Sequence, residues 1–249
     1  ERRMLQSNRA PFEIFGNDIS EEAKNQLYTA LKLPISVQGA LMPDAHSGYG
    51  LPIGGVLAVE NAVIPYGVGM DIGCRMSLSI LDTPISYLDG AKDKYEKALV
   101  ENTKFGMSEV HTSVFDHEIF DRETFNLIPI LKRLKGKAIK QLGSSGGGNH
   151  FVEFGEVEIT EEDQQIGLPK GKYLGILSHS GSRGLGAEIA QYYSRVATEQ
   201  CPLPKEAQNF AWLDLDSHLG LEYWTAMNLA GDYAKACHDD IHRRLVKAI

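Results

Sequence analysis

Only three cysteines occur in 249 residues, Cys74, Cys201 and Cys237, and their odd number and wide spacing exclude a disulfide framework. Free thiols fit a reducing compartment, so a cytoplasmic protein is expected. No apolar run approaches the roughly 20 residues needed to cross a bilayer, and the opening ERRMLQSNRAPFEIF lacks the continuous apolar segment of an export signal. Neither export nor membrane insertion is indicated. Positive charge is scarce: 25 Lys and Arg stand against 33 Asp and Glu, a net charge of -8. Non-specific coating of nucleic acid depends on Lys and Arg neutralising phosphates, so that mode is disfavoured, whereas a local basic groove is not. Internal repeats and low-complexity tracts are absent too. What is there is an ordinary globular composition, 43% hydrophobic, enough for a sizeable core. The chain opens on Glu1, and its last stretch, LAGDYAKACHDDIHRRLVKAI, has no closing glycine or proline. One domain over residues 1–249, truncated at its C-terminus, is the expectation.

Hydrophobic spacing outlines the elements. Asp18 and Glu21 suggest a capping box ahead of Ala23, Leu27, Ala30 and Leu31, which repeat at helical intervals to about Leu33. From Ile35 to Leu81 short β-prone runs (ISVQGALM, GGVLAVE, RMSLSILD) alternate with glycine- and proline-rich turns, and Met76, Leu78 and Ile80 take one face of the last run. Lys92 to Val100 and Pro129 to Leu142 read as helices, the second with Leu131, Leu134 and Ala138 in one stripe. Strands are expected over Phe151 to Val157 and Tyr173 to Ser178. Helices follow over Leu185 to about Glu199 and from Leu221 to the end. The class is therefore mixed α/β or α+β.

Chemistry concentrates in glycine-rich segments. In GVGMDIGCR, Asp71 and Cys74 stand three residues apart, so a carboxylate and a thiolate share one side of a turn and can grip one ion. GSSGGGNHFVE offers His150, and LSHSGSRGLG offers His179. Together they supply one O, one S and two N donors, a set that by donor type alone suits Zn²⁺. In a strand, Asn149 and Phe151 would point to one face and His150 to the other. The SGSRGLG loop carries Ser182 and Arg183 into a helix N-terminus, where hydroxyls, backbone N–H groups and a guanidinium can face a phosphate. Asp44 and His46, in MPDAHSGYGLPIGG, are weaker site residues; tight turns between strands explain that block equally well. Lys132, Arg133, Lys135, Lys137 and Lys140 fall on one helix face, read either as solvated or as phosphate-facing. HDDIH, from His238 to His242, imitates the zinc-protease HExxH, but Asp239 replaces the general-base Glu; a solvated helix face is expected there. Cys201 and Cys237 read as small core hydrophobes.

Taken in order, MPDAHSGYGLPIGG, GVGMDIGC, GSSGGGNHFVE and SHSGSRGLG resemble the RtcB-type RNA-splicing ligases, from about Met42 into the terminal helix. The resemblance implies an α/β fold with β-sheets flanked by helices around a metal-lined cleft, and an enzyme that joins RNA ends with GTP. In that family a histidine attacks GTP and becomes guanylated, GMP passes to an RNA 3′-phosphate, and a 5′-hydroxyl then displaces it; a 2′,3′-cyclic phosphate is first opened. Two Mn²⁺ ions are implied. Carried onto this chain, Cys74 would bridge the metals, with Asp71, His150 and His179 completing their shells. Asn149 would contact nucleotide phosphate, Phe151 and Glu153 would lie near the guanylate, and Arg183 with Ser182 would hold phosphate or RNA.

The family pattern places the guanylate-accepting histidine in a later part, and no histidine after His179 sits in a matching motif. Partners implied are RNA with 3′-phosphate or 2′,3′-cyclic phosphate and 5′-hydroxyl ends, such as tRNA halves in splicing or repair, together with GTP and an activating protein. Two other readings compete: a metal-dependent phosphoesterase, since a two-metal floor can activate water, and a non-catalytic, metal-stabilised module that binds RNA ends.

Overall fold

A computed structural model describes residues 5–113, 115–162, 164–165 and 167–249. The elements run β1 (Phe12–Ile14), α1 (Glu21–Ala30), β2 (Ser36–His46), β3 (Ile53–Val59), β4 (Ala62–Val63), α2 (Pro65–Val68) and β5 (Arg75–Pro84). They continue with α3 (Ser86–Gly90), α4 (Lys92–Asn102), α5 (Thr124–Leu127), α6 (Pro129–Gln141), β6 (Phe151–Ile159) and β7 (Gly171–Ser180). The last are α7 (Arg183–Gln200), β8 (Leu213–Asp214) and α8 (His218–Ala248). This is the mixed α/β class expected. The backbone divides into two compact units, Glu1–Met70 with Glu188–Met227, and Asp71–Ala187 with Asn228–Ile249.

In the first unit β2 pairs in parallel with β1 and antiparallel with β3. Helix α1 begins at Ser20, whose hydroxyl accepts from the Ala23 amide at 3.2 Å. Asp18 is therefore not the cap: Ser20 stands directly before the first helical residue, where its oxygen meets the orphan amide three positions on. Ala23, Leu27 and Leu31 pack with Ile19, Leu41 and Ala45 into a buried cluster, removing about 25 cal/mol per Å² of apolar surface from water. Strands β4 and β8 form a separate two-stranded pair.

The second unit is built on a three-stranded antiparallel sheet with β7 central, in the order β5-β7-β6. One of its faces is covered: Ile176 of β7 packs with Ile241 and Leu245 of α8, and with Leu81, Leu99, Val152 and Phe154. The alternation along β5 runs against polarity. Met76 and Leu78, on the apolar side, are about half exposed, whereas Ser79 on the other side reaches His242 of α8. Pro129 opens α6, as its fixed φ and missing N–H suit a first helical position, and Leu131, Leu134 and Ala138 are buried along one stripe.

Candidate metal centre

Asp71 and Cys74 occupy a tight turn entering β5. The Cys74 amide donates to the Asp71 carbonyl at 3.0 Å, which keeps both side chains on one side. The carboxylate is anchored from the end of β7, where its Oδ1 accepts from the Ser182 amide at 2.9 Å. Only glycine serves at position 181, because a Cβ there would lie 2.1 Å from either carboxylate oxygen of Asp71.

His179 is carried by β7 and faces the same side as Met76 and Phe151, its register partners on β5 and β6. His150 lies one residue before β6. The strand begins at Phe151, so the alternation expected for residues 149–151 does not apply. Freed from the strand, the His150 ring turns toward His179, with centroids 5.2 Å apart. The Cys74 Sγ lies 3.1 Å from His179 Nε2 and 3.5 Å from His150 Nε2, and Asp71 Oδ2 lies 3.0 Å from His150 Nε2. Cys74, His150 and His179 bring their ligand atoms within 4.8 Å of one another.

Proton placement explains why this grouping suits a cation. His150 Nδ1 donates to the Ser145 carbonyl at 2.6 Å, which fixes the ring with its Nε2 turned toward the sulfur and the carboxylate. Gly146 permits the approach: its φ is +98°, and a Cβ there would lie 2.0 Å from Arg183 Nη1 and 2.8 Å from His150 Nδ1. Nitrogen, sulfur and carboxylate donors gathered around one space suit a cation held among them. Without one, the Cys74 thiol is pushed up to about 12, first by loss of water around the sulfur and then by Asp71, as acceptor and as negative charge. A divalent cation reverses that balance and holds the thiolate. Metal bonds of about 2.3 Å to sulfur and 2.0 Å to nitrogen span donors at these separations, so the residues fit a metal ion.

The other residues expected at a site are spread around this cluster. Asn149 is exposed, as are Gly147 and Gly148 before it. Phe151 meets the His179 ring edge-on at 6.0 Å, and Glu153 is exposed two residues further along the same face of β6. Arg183 is buried; its Nε donates to Ser144 Oγ at 3.1 Å and its Nη2 to the Gly106 carbonyl at 2.9 Å, which ties the start of α7 to the glycine-rich loop before β6. Ser182 spends its amide on Asp71, and its buried hydroxyl has no partner. Asp44 and His46 belong to the first unit, at the exposed end of β2, where the His46 ring bonds the Asp44 carbonyl at 2.9 Å. Among the described residues they join no metal-spaced group.

HDDIH overturns its expectation. His238 is 1% and His242 6% exposed, so neither lies on a solvated face; only Asp239 between them is exposed. Both rings turn to the serines on the back of β5 and β7. Ser145, Ser178 and Ser180 were not singled out from the sequence, because a serine in a glycine-rich loop or a strand carries no signal of what its hydroxyl or carbonyl meets. Cys201 and Cys237 are buried as small core residues.

Comparison with known proteins adds the family. The family model described as tRNA-splicing ligase RtcB matches residues 26–249. An RNA-splicing ligase RtcB homolog 1 from Entamoeba dispar is 28% identical over 90% of this chain and 49% of its own length. A tRNA-splicing ligase RtcB from Thermococcus kodakarensis is 28% identical over 92% of this chain and 56% of its own. Another, from Nanoarchaeum equitans, is 30% identical over 79% of this chain and 48% of its own. The chain spans about half the length of these relatives.

Proposed function

The chain belongs to the RtcB family, and from that premise we propose that it forms the metal-holding part of an RNA ligase. The reaction assigned to it joins RNA 3′-phosphate or 2′,3′-cyclic phosphate ends, including those of tRNA halves, to 5′-hydroxyl ends, using GTP and Mn²⁺. The observation that carries the reading is the meeting of Cys74 Sγ with His150 Nε2 and His179 Nε2, beside the Asp71 carboxylate. Bound cations would polarise the reacting phosphates and offset the negative charge that grows on them.

In this reading Cys74, Asp71, His150 and His179 would together hold the metal ions. Asn149, exposed beside the ligands, receives nucleotide phosphate. Phe151 and Glu153 border the guanylate from the same face as His179. Arg183 and Ser182 hold phosphate at the start of α7. The histidine that takes GMP from GTP, releasing pyrophosphate, is not assigned to any of the eight in this chain. GMP then passes to the RNA 3′-phosphate and leaves again when the 5′-hydroxyl oxygen bonds to that phosphorus.

The test uses the full-length protein with GTP, Mn²⁺ and RNA bearing a 3′-phosphate and a 5′-hydroxyl. Guanylated protein and joined RNA are expected. If neither appears the ligase reading fails, and hydrolysis of a cyclic phosphate without GTP would put a phosphoesterase in its place.

A further inference from the structure

His238 and His242 have the spacing of a metal-binding pair on a helix, but all four of their ring nitrogens already have protein partners. His238 Nε2 lies 3.1 Å from the Ser180 carbonyl, and a carbonyl only accepts, so this nitrogen carries the hydrogen. The ring is buried and neutral, and its bare Nδ1 takes the Ser178 hydroxyl hydrogen at 2.6 Å. That uses the only hydrogen Ser178 has. The 2.7 Å contact between Ser178 Oγ and His242 Nε2 is therefore donated by the histidine. His242 Nδ1 is then bare in turn and accepts from Ser79 Oγ at 2.7 Å. Four contacts leave a single consistent set of hydrogens, running in one direction from β5 through α8 to β7.

The far end of this set reaches the metal cluster. Ser180 Oγ donates to the Ser145 carbonyl at 2.8 Å, and that same oxygen accepts the Nδ1–H of His150. Ser178 and Ser180 flank His179 in β7, and because side chains alternate along a strand they are held from the back while His179 stands on the front. Both imidazoles of the cluster thus depend on groups that α8 fixes: His179 through its strand, His150 through the carbonyl that sets its tautomer.

We propose that His238 and His242, with Ser79, Ser178 and Ser180, form a buried brace that orients His150 and His179 toward the metal. They are positioning residues, not ligands. The inference rests on the metal reading of the cluster and adds residues of a segment that supplies no ligand. Partners that orient metal-bound histidines are typically worth 10- to 100-fold in metal affinity.

The experiment titrates Co²⁺ into the chain and follows the thiolate-to-cobalt absorption, with thermal unfolding recorded alongside. His238→Leu removes two of the bonds, and Ser178→Ala removes the central hydroxyl with little change in volume. Leu245→Ala, on the same helix but outside the network, supplies a variant destabilised by packing alone. His238→Leu and Ser178→Ala are expected to weaken Co²⁺ binding about 10- to 100-fold and to shift the absorption. Leu245→Ala should bind as the wild type does, although it melts earlier. Wild-type affinity and spectrum in Ser178→Ala overturn the brace, and that variant decides alone if His238→Leu fails to fold. An equal loss in Leu245→Ala overturns it too, by reducing the effect to stability. Absence of any thiolate band in the wild type sinks the metal reading and the brace together.

Discussion

At Cys74 a single sulfur decides between two chemistries. With nothing positive beside it the thiol holds its proton to about 12, and a neutral thiol binds metal poorly. Bound to a cation it becomes the only soft donor among two imidazoles and a carboxylate. Cys74→Ala should therefore abolish tight metal binding, and Cys201→Ala, a buried residue outside the cluster, should leave it intact; equal metal content in both purified variants would contradict the assignment. His242 gives a second residue-scale expectation. Burial first, and the neighbouring His238 second, push its ring from 6.5 down to about 4, with Asp239 opposing. The folded chain keeps this imidazole neutral, so as pH falls the unfolded chain takes up the proton first. Its contribution is complete above about 6.5 and is lost as pH falls through about 4, an effect on the order of 3 kcal/mol. His238 is displaced in the same direction, also by burial. Denaturant unfolding between pH 7 and pH 4 should show stability declining in the wild type and a shallower decline in His242→Gln; parallel slopes would refute the neutral assignment.

At the scale of elements, α6 presents Lys132, Arg133, Lys137 and Lys140 on its exposed side while its apolar stripe is buried. If that side meets RNA phosphates, Lys132→Glu combined with Lys140→Glu should weaken RNA binding at low salt and reduce the slope of affinity against salt by about 1 to 2. Unchanged binding and slope in a filter-binding series would leave α6 a solvated helix. The existence of α6 was legible because Pro129 and a three-and-four spacing of leucines state the same thing twice, and the helix ends within a residue of the expected position. Asp71, Cys74, His150 and His179 were legible for a different reason: unusual donors embedded in glycine. The orientation of α8 was not. Periodicity tells which residues share a helix face but not what that face meets, so His238 and His242 looked solvated beside Asp239 and Asp240. What they meet is the serine side of β7 and β5, and the apolar Met76 and Leu78 of β5 misdirect any reading that sends apolar residues inward. The cap of α1 was misassigned on similar grounds, since Asp18 and Ser20 are both good caps and only the backbone decides between them.

At the scale of the whole molecule, the donors all belong to one of the two units, Asp71–Ala187 with Asn228–Ile249. A ligand that binds only the folded form stabilises it by an amount set by its concentration over its dissociation constant, about 2.7 kcal/mol at a hundredfold excess. That energy acts on whatever must unfold to release the ion. The Cys74 turn, the glycine-rich loop before β6 and the end of β7 cannot separate without breaking the site, and α8 is tied to β7 through Ser178. The sheet of β1, β2 and β3 contributes no ligand. Hydrogen exchange measured with and without Mn²⁺ should therefore slow in residues 71–80, 143–154 and 174–182 and in the second half of α8. Amides of β2 and β3 should exchange at unchanged rates wherever they open without global unfolding. Slowing confined to β2 and β3, or equal slowing across both units from local openings, would mean that the ion is held elsewhere. Slowing in α8 matters most: no α8 side chain is assigned as a ligand, so protection reaching the segment around His238 must arrive through β7 and its serines.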